Sequence, residues 1–469
     1  MKKYYFALFL EPLPCLPQRF FLGNILHLKN ESLFSTLATC QKRFGDTYAS
    51  YFGPSRFVCI NNVEHVQEIF TKRHIYDRDS FIRSNIDVVL PKCLRTLLGD
   101  EWHLRKRIVV EPFRQTELPR YLSNLVHSWD LIIENWCIEK YVTDDSNKIS
   151  STTNGYMLEL LMEIFMGDST IPEVSFADFC DAFLRFNGYV DFMFTTFFLP
   201  TIVKKWRVKM TKDYRESEAL LHSYVKKLSD NAVITEKNLI NSFLEAHKKE
   251  HMSENDIFSD IIDILTTAYT TTKGSSASII YYLSTNPHIQ TKIKEELTTI
   301  GINRDTTLTI ELVNRLTYIE CVCQEVIRHS TEITPFVART ALQDDIIGND
   351  HNRINIRKDD LLIICTYNIH HDPKHWKLDP YQFLPERFLD EDPDRHRYAF
   401  LPFGGGHRAC IAQQLAMLEM KVFIIRLMLL VTVHRSKDIP TSAINPVIRQ
   451  EETPDLTGVY LKPTDEEIS

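Results

Sequence analysis

Glycine is scarce, 14 in 469 residues, and no Gly/Ser-rich or Pro-rich tract breaks the chain, so no linker marks a domain boundary. No internal repeat is visible, which excludes a solenoid or propeller. The 10 cysteines are scattered and none forms a CxxC pair; only Cys321 and Cys323 lie close together. A structural zinc site is therefore not expected, and most of the thiols read as small buried apolar groups in a reducing compartment. No apolar run reaches the roughly 20 residues that cross a bilayer. No flavin or nicotinamide fingerprint occurs, and the one glycine cluster, Gly404-Gly405-Gly406, is not followed by the Lys-Ser/Thr of a phosphate loop. Cationic excess is also missing: a net charge of -8 gives no reason to expect a nucleic-acid partner.

What remains is a composition typical of folded proteins, 44% hydrophobic and 25% charged. Apolar residues at three- and four-residue spacing predict helices over 65–73, 121–141, 217–231 and 286–300. Strand signals are few. YASYFGPSRFVCINN predicts a hairpin turning at Gly53-Pro54, and DDIIGNDHNRINIRKDDLLIICTYN predicts further short strands. The expected fold class is mainly α with a minor β part, as one domain over 1–469 with small sheets near 45–62 and 335–367. Residues 4–10 are apolar but too short to span, so 1–11 reads either as the remnant of a membrane anchor or as no anchor at all. Residues 189–203, interrupted by Pro200, read as buried core or as a loop that dips into a membrane surface or lines an apolar entry channel. Residues 422–433, VFIIRLMLLVTV, read as a buried helix.

The segment with the most chemistry is Phe403-Gly404-Gly405-Gly406-His407-Arg408-Ala409-Cys410-Ile411-Ala412. Consecutive glycines let backbone approach a flat ligand, and a helix pattern, AQQLAMLEMKVFIIRL, follows the cysteine. A cysteine at a helix N-terminus favours the thiolate, and a thiolate is the ligand that pushes electron density onto haem iron. The competing reading is a glycine-rich turn beside a buried thiol.

This segment resembles the haem-binding signature of the cytochrome P450 family, with Ala412 where the family has its last glycine. Other motifs follow the family's order. Glu325-Val326-Ile327-Arg328 resembles its Glu-x-x-Arg, and Pro385-Glu386-Arg387-Phe388 its Pro-Glu-Arg-Phe; together they imply a buried, structural cluster of Glu325, Arg328 and Arg387. Pro335-Phe336-Val337-Ala338-Arg339 resembles the segment that brings an arginine to a haem propionate. Trp102-His103-Leu104-Arg105-Lys106 resembles the Trp-x-x-x-Arg helix, with Lys106 at the arginine position and Arg105 or Arg107 as substitutes that spacing does not separate. The resemblance implies the P450 fold, with haem b between a long distal helix and the Cys-loop helix. It implies Cys410 as the metal ligand, Phe403 beneath the haem near the sulfur, and Arg408, Arg339, Trp102 and Lys106 at the propionates.

Registered on Asn286-Pro287, the family's Ala-Gly-x-Asp/Glu-Thr-Thr falls on Thr267-Ala268-Tyr269-Thr270-Thr271-Thr272. Thr271 is the candidate hydroxyl that relays protons to bound oxygen. Thr270, the second catalytic position, stands where the family has an acid and cannot titrate as one. Asp263 lies on roughly the same face but too far away to replace it. The resemblance implies a monooxygenase that takes electrons from a separate NADPH-dependent P450 reductase and inserts one atom of O2 into an apolar substrate. It further implies a monomer on the cytosolic face of the endoplasmic reticulum membrane, with contact to the membrane surface. The departures at 106, 268, 270 and 412 keep two alternatives open: a haem-thiolate isomerase or dehydratase acting on hydroperoxides, and a haem-binding protein without turnover.

Overall fold

The computed structural model describes residues 13–15, 24, 33–52, 55–138, 149–166, 175–196, 199–231, 238–249, 251–330, 336–389, 392, 394–435, 456 and 459–464. Among these are sixteen α-helices and nine strands, a mainly α chain with a minor β part. The proposed anchor at 1–11, the turn at Gly53-Pro54 and Pro335 lie outside the described residues. The chain divides into two compact units. The first comprises Met1–Ser84, Ile327–Cys410 and Asn445–Glu452, the second Asn85–Val326, Ile411–Ile444 and Thr453–Ser469.

The first unit holds most of the strands: β1 (Thr47–Phe52), β2 (Ser55–Ile60), β3 (Tyr76–Arg78), β4 (Val337–Ala341), β5 (Asp345–Ile347), β6 (Ile354–Ile356) and β7 (Leu361–Ile364). Five of them form one sheet in the order β1-β2-β7-β4-β3, and β5 pairs with β6. The expected hairpin is β1-β2, antiparallel with Phe52 opposite Ser55. β2 and β7 run parallel, Val58 beside Leu362 and Ile60 beside Ile364. Side chains alternate across a strand, so these four residues enter one core cluster, while Cys59, Leu361 and Ile363 enter another on the opposite face. Apolar cover on both faces is what a parallel pair requires. β4 lies between β7 and β3, and its Arg339 sits inside the protein at 2% exposure.

Six helices carry residues singled out in the sequence: α1 (Gly99–Val109), α2 (Phe176–Thr195), α3 (Thr201–Met210), α4 (Glu254–Thr285), α5 (Thr317–His329) and α6 (Gln413–Leu430). α4 has 32 residues and is about 48 Å long. A reciprocal Ser253–Asp256 capping box starts it, and it stops at Asn286 because Pro287 opens the next helix. The remaining strands, β8 (Val431–Arg435) and β9 (Val459–Pro463), pair antiparallel in the second unit. The apolar stretch 422–433 is thus not one helix: α6 ends at Leu430, and the β-branched Val431-Thr432-Val433 begins β8. The stretch 189–203 divides between α2 and α3, and α3 exposes Ile202, Val203, Trp206 and Met210 while burying Lys204 and Val208. Among the described residues no helix is long and apolar enough to cross a membrane.

Candidate active site

In the first unit the glycine-rich segment closes on itself. The Cys410 N–H donates to the Phe403 carbonyl at 3.0 Å, and the Gly404 N–H to Leu401 at 3.1 Å. Gly404 and Gly406 take φ of +71° and +69°, left-handed conformations that side chains with a Cβ resist. Gly405 is different. Its backbone is extended at φ −162°, but a Cβ there would stand 2.4 Å from the Phe70 ring. Two glycines turn the chain and the third lets it touch Phe70. Cys410 is exposed, whereas seven of the other nine cysteines are buried. α6 begins at Gln413, so Cys410 stands just before the first helical turn, and the sequence expectation of a cysteine at the helix start is met to within three residues.

The cations beside this loop decide whether it suits haem. Arg339 donates to the Ala338 carbonyl at 2.8 Å and to the Gly405 carbonyl at 2.9 Å, with its guanidinium 5.3 Å from the Phe70 ring centre. Burial, reinforced by the charge of Arg78, lowers its pKa to about 9. The Arg408 side chain is wholly buried; its Nε donates to Asp77 at 2.7 Å, and His407 Nε2 meets the same oxygen at 3.1 Å. Burial lowers the Arg408 pKa as well. Burial pushes the Asp77 carboxyl up, but hydrogen bonds from His407 and Arg408 outweigh it and hold the group well below the usual carboxylate range. Asp79 is raised by burial, so it is a weak counter-charge. Among the described residues, Arg78, Arg339 and Arg408 therefore face Asp77 and a reluctant Asp79, so cations outnumber ready anions there. A buried cation excess is costly unless an anion joins it. Two carboxylates on a flat ring, above a loop opened by glycine and ended by an exposed cysteine, answer that excess. The residues present fit haem.

In the second unit, α1 places Trp102 and Lys106 on one face, with the Lys106 ammonium 4.8 Å from the Trp102 ring centre. The structure separates the three basic residues that spacing left equivalent. Arg105 is buried and donates to Asp260 at 2.6 Å, Arg107 is exposed, and Lys106 stays with Trp102. On α4, Thr271 is half-buried and its hydroxyl donates back to Thr267 at 2.9 Å or Ala268 at 3.2 Å, while Thr270 is exposed. Asp263 is taken up by the Arg95 guanidinium, Nε to Oδ1 at 2.5 Å, which gives a reason beyond distance that it does not replace the missing acid.

The two arginines of the expected structural cluster share a partner. In the first unit, Arg328 and Arg387 both donate to the Gln382 carbonyl, at 3.5 and 2.9 Å, and their guanidinium groups stand 4.9 and 5.8 Å from the Trp376 ring centre. Glu325 precedes Arg328 by one turn on α5 and is fully buried. A cavity of about 610 Å³ beside Asp130 and Arg426 contains none of the residues expected from the sequence.

Sequence reasoning missed Asp77, the partner of both His407 and Arg408, and no local signal marks it at a separation of 331 residues. It also missed Glu419, whose hint was a lone acid within the apolar run Leu415–Leu430. Glu419 accepts from the Thr272 hydroxyl at 3.1 Å.

The glycine-rich loop with its exposed cysteine, and the buried cations beside it, are the features of a haem-thiolate oxidoreductase. The sequence model of the family Cytochrome P450 matches residues 13–457, and the chain belongs to that family. It is 24% identical over 434 residues to mouse (Mus musculus) cytochrome P450 4V2, covering 86% of this chain and 80% of that protein. Human cytochrome P450 4V2 is 24% identical over 406 residues, 80% of this chain and 74% of that protein. Mouse cytochrome P450 3A16 is 24% identical over 443 residues, with coverages of 89% and 83%. The family is one of monooxygenases that hold haem b through a cysteine thiolate, and this chain is such an enzyme.

Proposed function

We propose that this chain inserts one oxygen atom from O2 into an apolar organic substrate, drawing electrons from a separate NADPH-dependent P450 reductase. Thiolate-bound haem supplies the oxygen chemistry, and the protein supplies binding, axial ligation and a dry pocket. Cys410 is the iron ligand. Arg339 and Arg408 would neutralise the propionates with help from Trp102 and Lys106, and Phe403 would pack near the sulfur. Thr271, beside Thr270, holds the proton that the reaction consumes on the distal side. The observation that carries the assignment is the pair of buried guanidinium groups, Arg339 on the Gly405 carbonyl and Arg408 on Asp77, beside the glycine-rich loop that ends in the exposed Cys410.

The family match runs through both compact units, which supports reading 1–469 as one catalytic domain. α3 supports a membrane-surface contact: Ile202, Val203, Trp206 and Met210 are exposed on a helix that also carries Lys205, Arg207 and Lys209. With the eukaryotic relatives, this supports a location on the cytosolic face of the endoplasmic reticulum membrane.

The test is the carbon monoxide difference spectrum of the reduced protein beside that of Cys410→Ser. A red-shifted thiolate-type band is expected in the parent and not in the variant; an unchanged band in the variant overturns the ligand assignment. The exposed Thr270 in place of an acid favours one second reading, an isomerase or dehydratase acting on hydroperoxides. Reductase, NADPH and O2 with a lipid panel, against lipid hydroperoxide alone, separates the two: turnover only with the hydroperoxide rejects the monooxygenase.

A further inference from the structure

The cavity beside Asp130 and Arg426 lies wholly in the second unit, between the helix Leu118–Ile138 and residues 304–311. Its volume, about 610 Å³, is that of a small-molecule site. Its frame is pinned. Arg426 of α6 donates to both oxygens of Asp130, at 2.6 and 2.8 Å, and to the Arg304 carbonyl at 3.2 Å. The Arg304 side chain returns the contact, its Nε donating to the Leu429 carbonyl at 3.0 Å. Farther along, the Thr306 hydroxyl donates to the Asn303 side chain at 3.0 Å, and Thr309 caps the helix Ile310–Asn314. Helix, loop and α6 are thereby tied together around the space they enclose, so an entering ligand has little left to order.

The lining has two characters. Leu122 and Val126, one turn apart on a single helix face, give an apolar wall, and Leu308 and Ile310 extend it on the loop side. Charged groups complete the lining: Asp130, Asp305 and Glu311 against Arg304 and Arg426, three carboxylates to two cations. Arg426 is committed to Asp130, and Arg304 to backbone carbonyls. Asp305 and Glu311 are exposed and have no ion pair among the described residues. The Glu311 N–H and the Thr309 hydroxyl hold the Glu311 carboxyl below its ordinary value, so it keeps its charge at neutral pH. An inorganic cation would leave the apolar wall uncovered, and an anion would meet like charge. A cation with an apolar body answers both parts of the lining.

We propose that this cavity is a second ligand site, sharing no residue with the candidate active site, and that it takes an organic amine. The ammonium meets Asp305 and Glu311, and the apolar body lies on Leu122, Val126, Leu308 and Ile310. Binding is noncovalent and does not depend on which reaction the haem carries out.

The test is equilibrium dialysis of the full-length, haem-loaded protein at pH 8, above the ordinary imidazole range, with the reduced iron saturated by carbon monoxide so that it cannot take an amine. Three probes share one body: mono-dansylated diaminooctane, the same molecule acetylated on its free amine, and dansylated aminooctanoate. They are a cation, a neutral molecule and an anion. The parent is expected to bind the cation saturably, on the order of tenfold more tightly than the neutral probe, and the anion least. Added salt should narrow the difference. Asp305→Asn combined with Glu311→Gln should lower the preference for the cation several-fold and leave the affinity for the neutral probe as in the parent. Leu308→Trp should fill the space and abolish binding of both. The double variant, altered only at exposed positions, carries the test if Leu308→Trp does not fold. Equal affinity for the three probes overturns the proposal, as does a charge preference that survives in the double variant or unchanged binding in a folded Leu308→Trp.

Discussion

Gly405→Ala adds one carbon where the chain has none to spare. The new Cβ would stand 2.4 and 2.5 Å from two carbons of the Phe70 ring, and 3.1 Å from a third. Relief by rotation is blocked, because the ring lies 5.8 Å from the Tyr398 ring and 5.3 Å from the Arg339 guanidinium, in a core cluster with Val66 and Ile69. The backbone at Gly405 is extended, so the whole cost is overpacking, about 1–3 kcal/mol. Gly404→Ala isolates the other cost: its Cβ meets nothing closer than Val337 at 3.5 Å, and the left-handed φ alone contributes roughly 1–2 kcal/mol. Urea unfolding of the full-length protein measures both. Phe70→Leu in the Gly405→Ala background separates the mechanisms, since removing the ring edge should make the double variant less destabilised than the sum of the singles by about 1 kcal/mol. Additive behaviour, or a Gly405→Ala variant within about 0.5 kcal/mol of the parent, would show that the third glycine is not there for Phe70.

Arg105→Leu leaves Asp260, which has no exposed surface, without its cation and should cost about 3–5 kcal/mol at pH 8 in chemical denaturation. The loss should shrink as pH falls, because burial pushes Asp260 up to about 7 even with Arg105 beside it, removal of that cation raises it further, and protonation removes the stranded charge. Asp77→Asn tests the opposite sign. Hydrogen bonds from His407 and Arg408 outweigh burial and depress the Asp77 pKa, so its contribution is full above the ordinary carboxylate range and is lost as pH falls through the depressed value. The parent should therefore lose stability on acidification through that window more steeply than Asp77→Asn in a pH series of thermal melts; parallel curves would remove Asp77 from the cluster.

Local order in the chain was enough for the elements that depend on neighbours a few residues away. The glycine triplet before Cys410, the Asn286-Pro287 stop of α4, the β1-β2 hairpin and the Trp102–Lys106 face are all short-range consequences of backbone freedom, missing N–H groups and side-chain periodicity. Even there the sequence overran at 422–433, because an apolar stretch does not distinguish the last turn of a buried helix from the first residues of a buried strand.

Pairings across hundreds of residues were beyond it. Arg105, Lys106 and Arg107 are equivalent as neighbouring cations, and Asp260, 155 residues away, removes Arg105 from contention. Asp77 joins Arg408, and Thr272 finds Glu419 across 147 residues, through contacts that no periodicity encodes. Charge in a protein is cheap or costly according to what burial places around it. Residue types and spacing determined which groups this chain carries and in what local conformation; tertiary packing decided which of them lost water, and so which are paired, which titrate near neutral pH, and which remain to hold a cofactor.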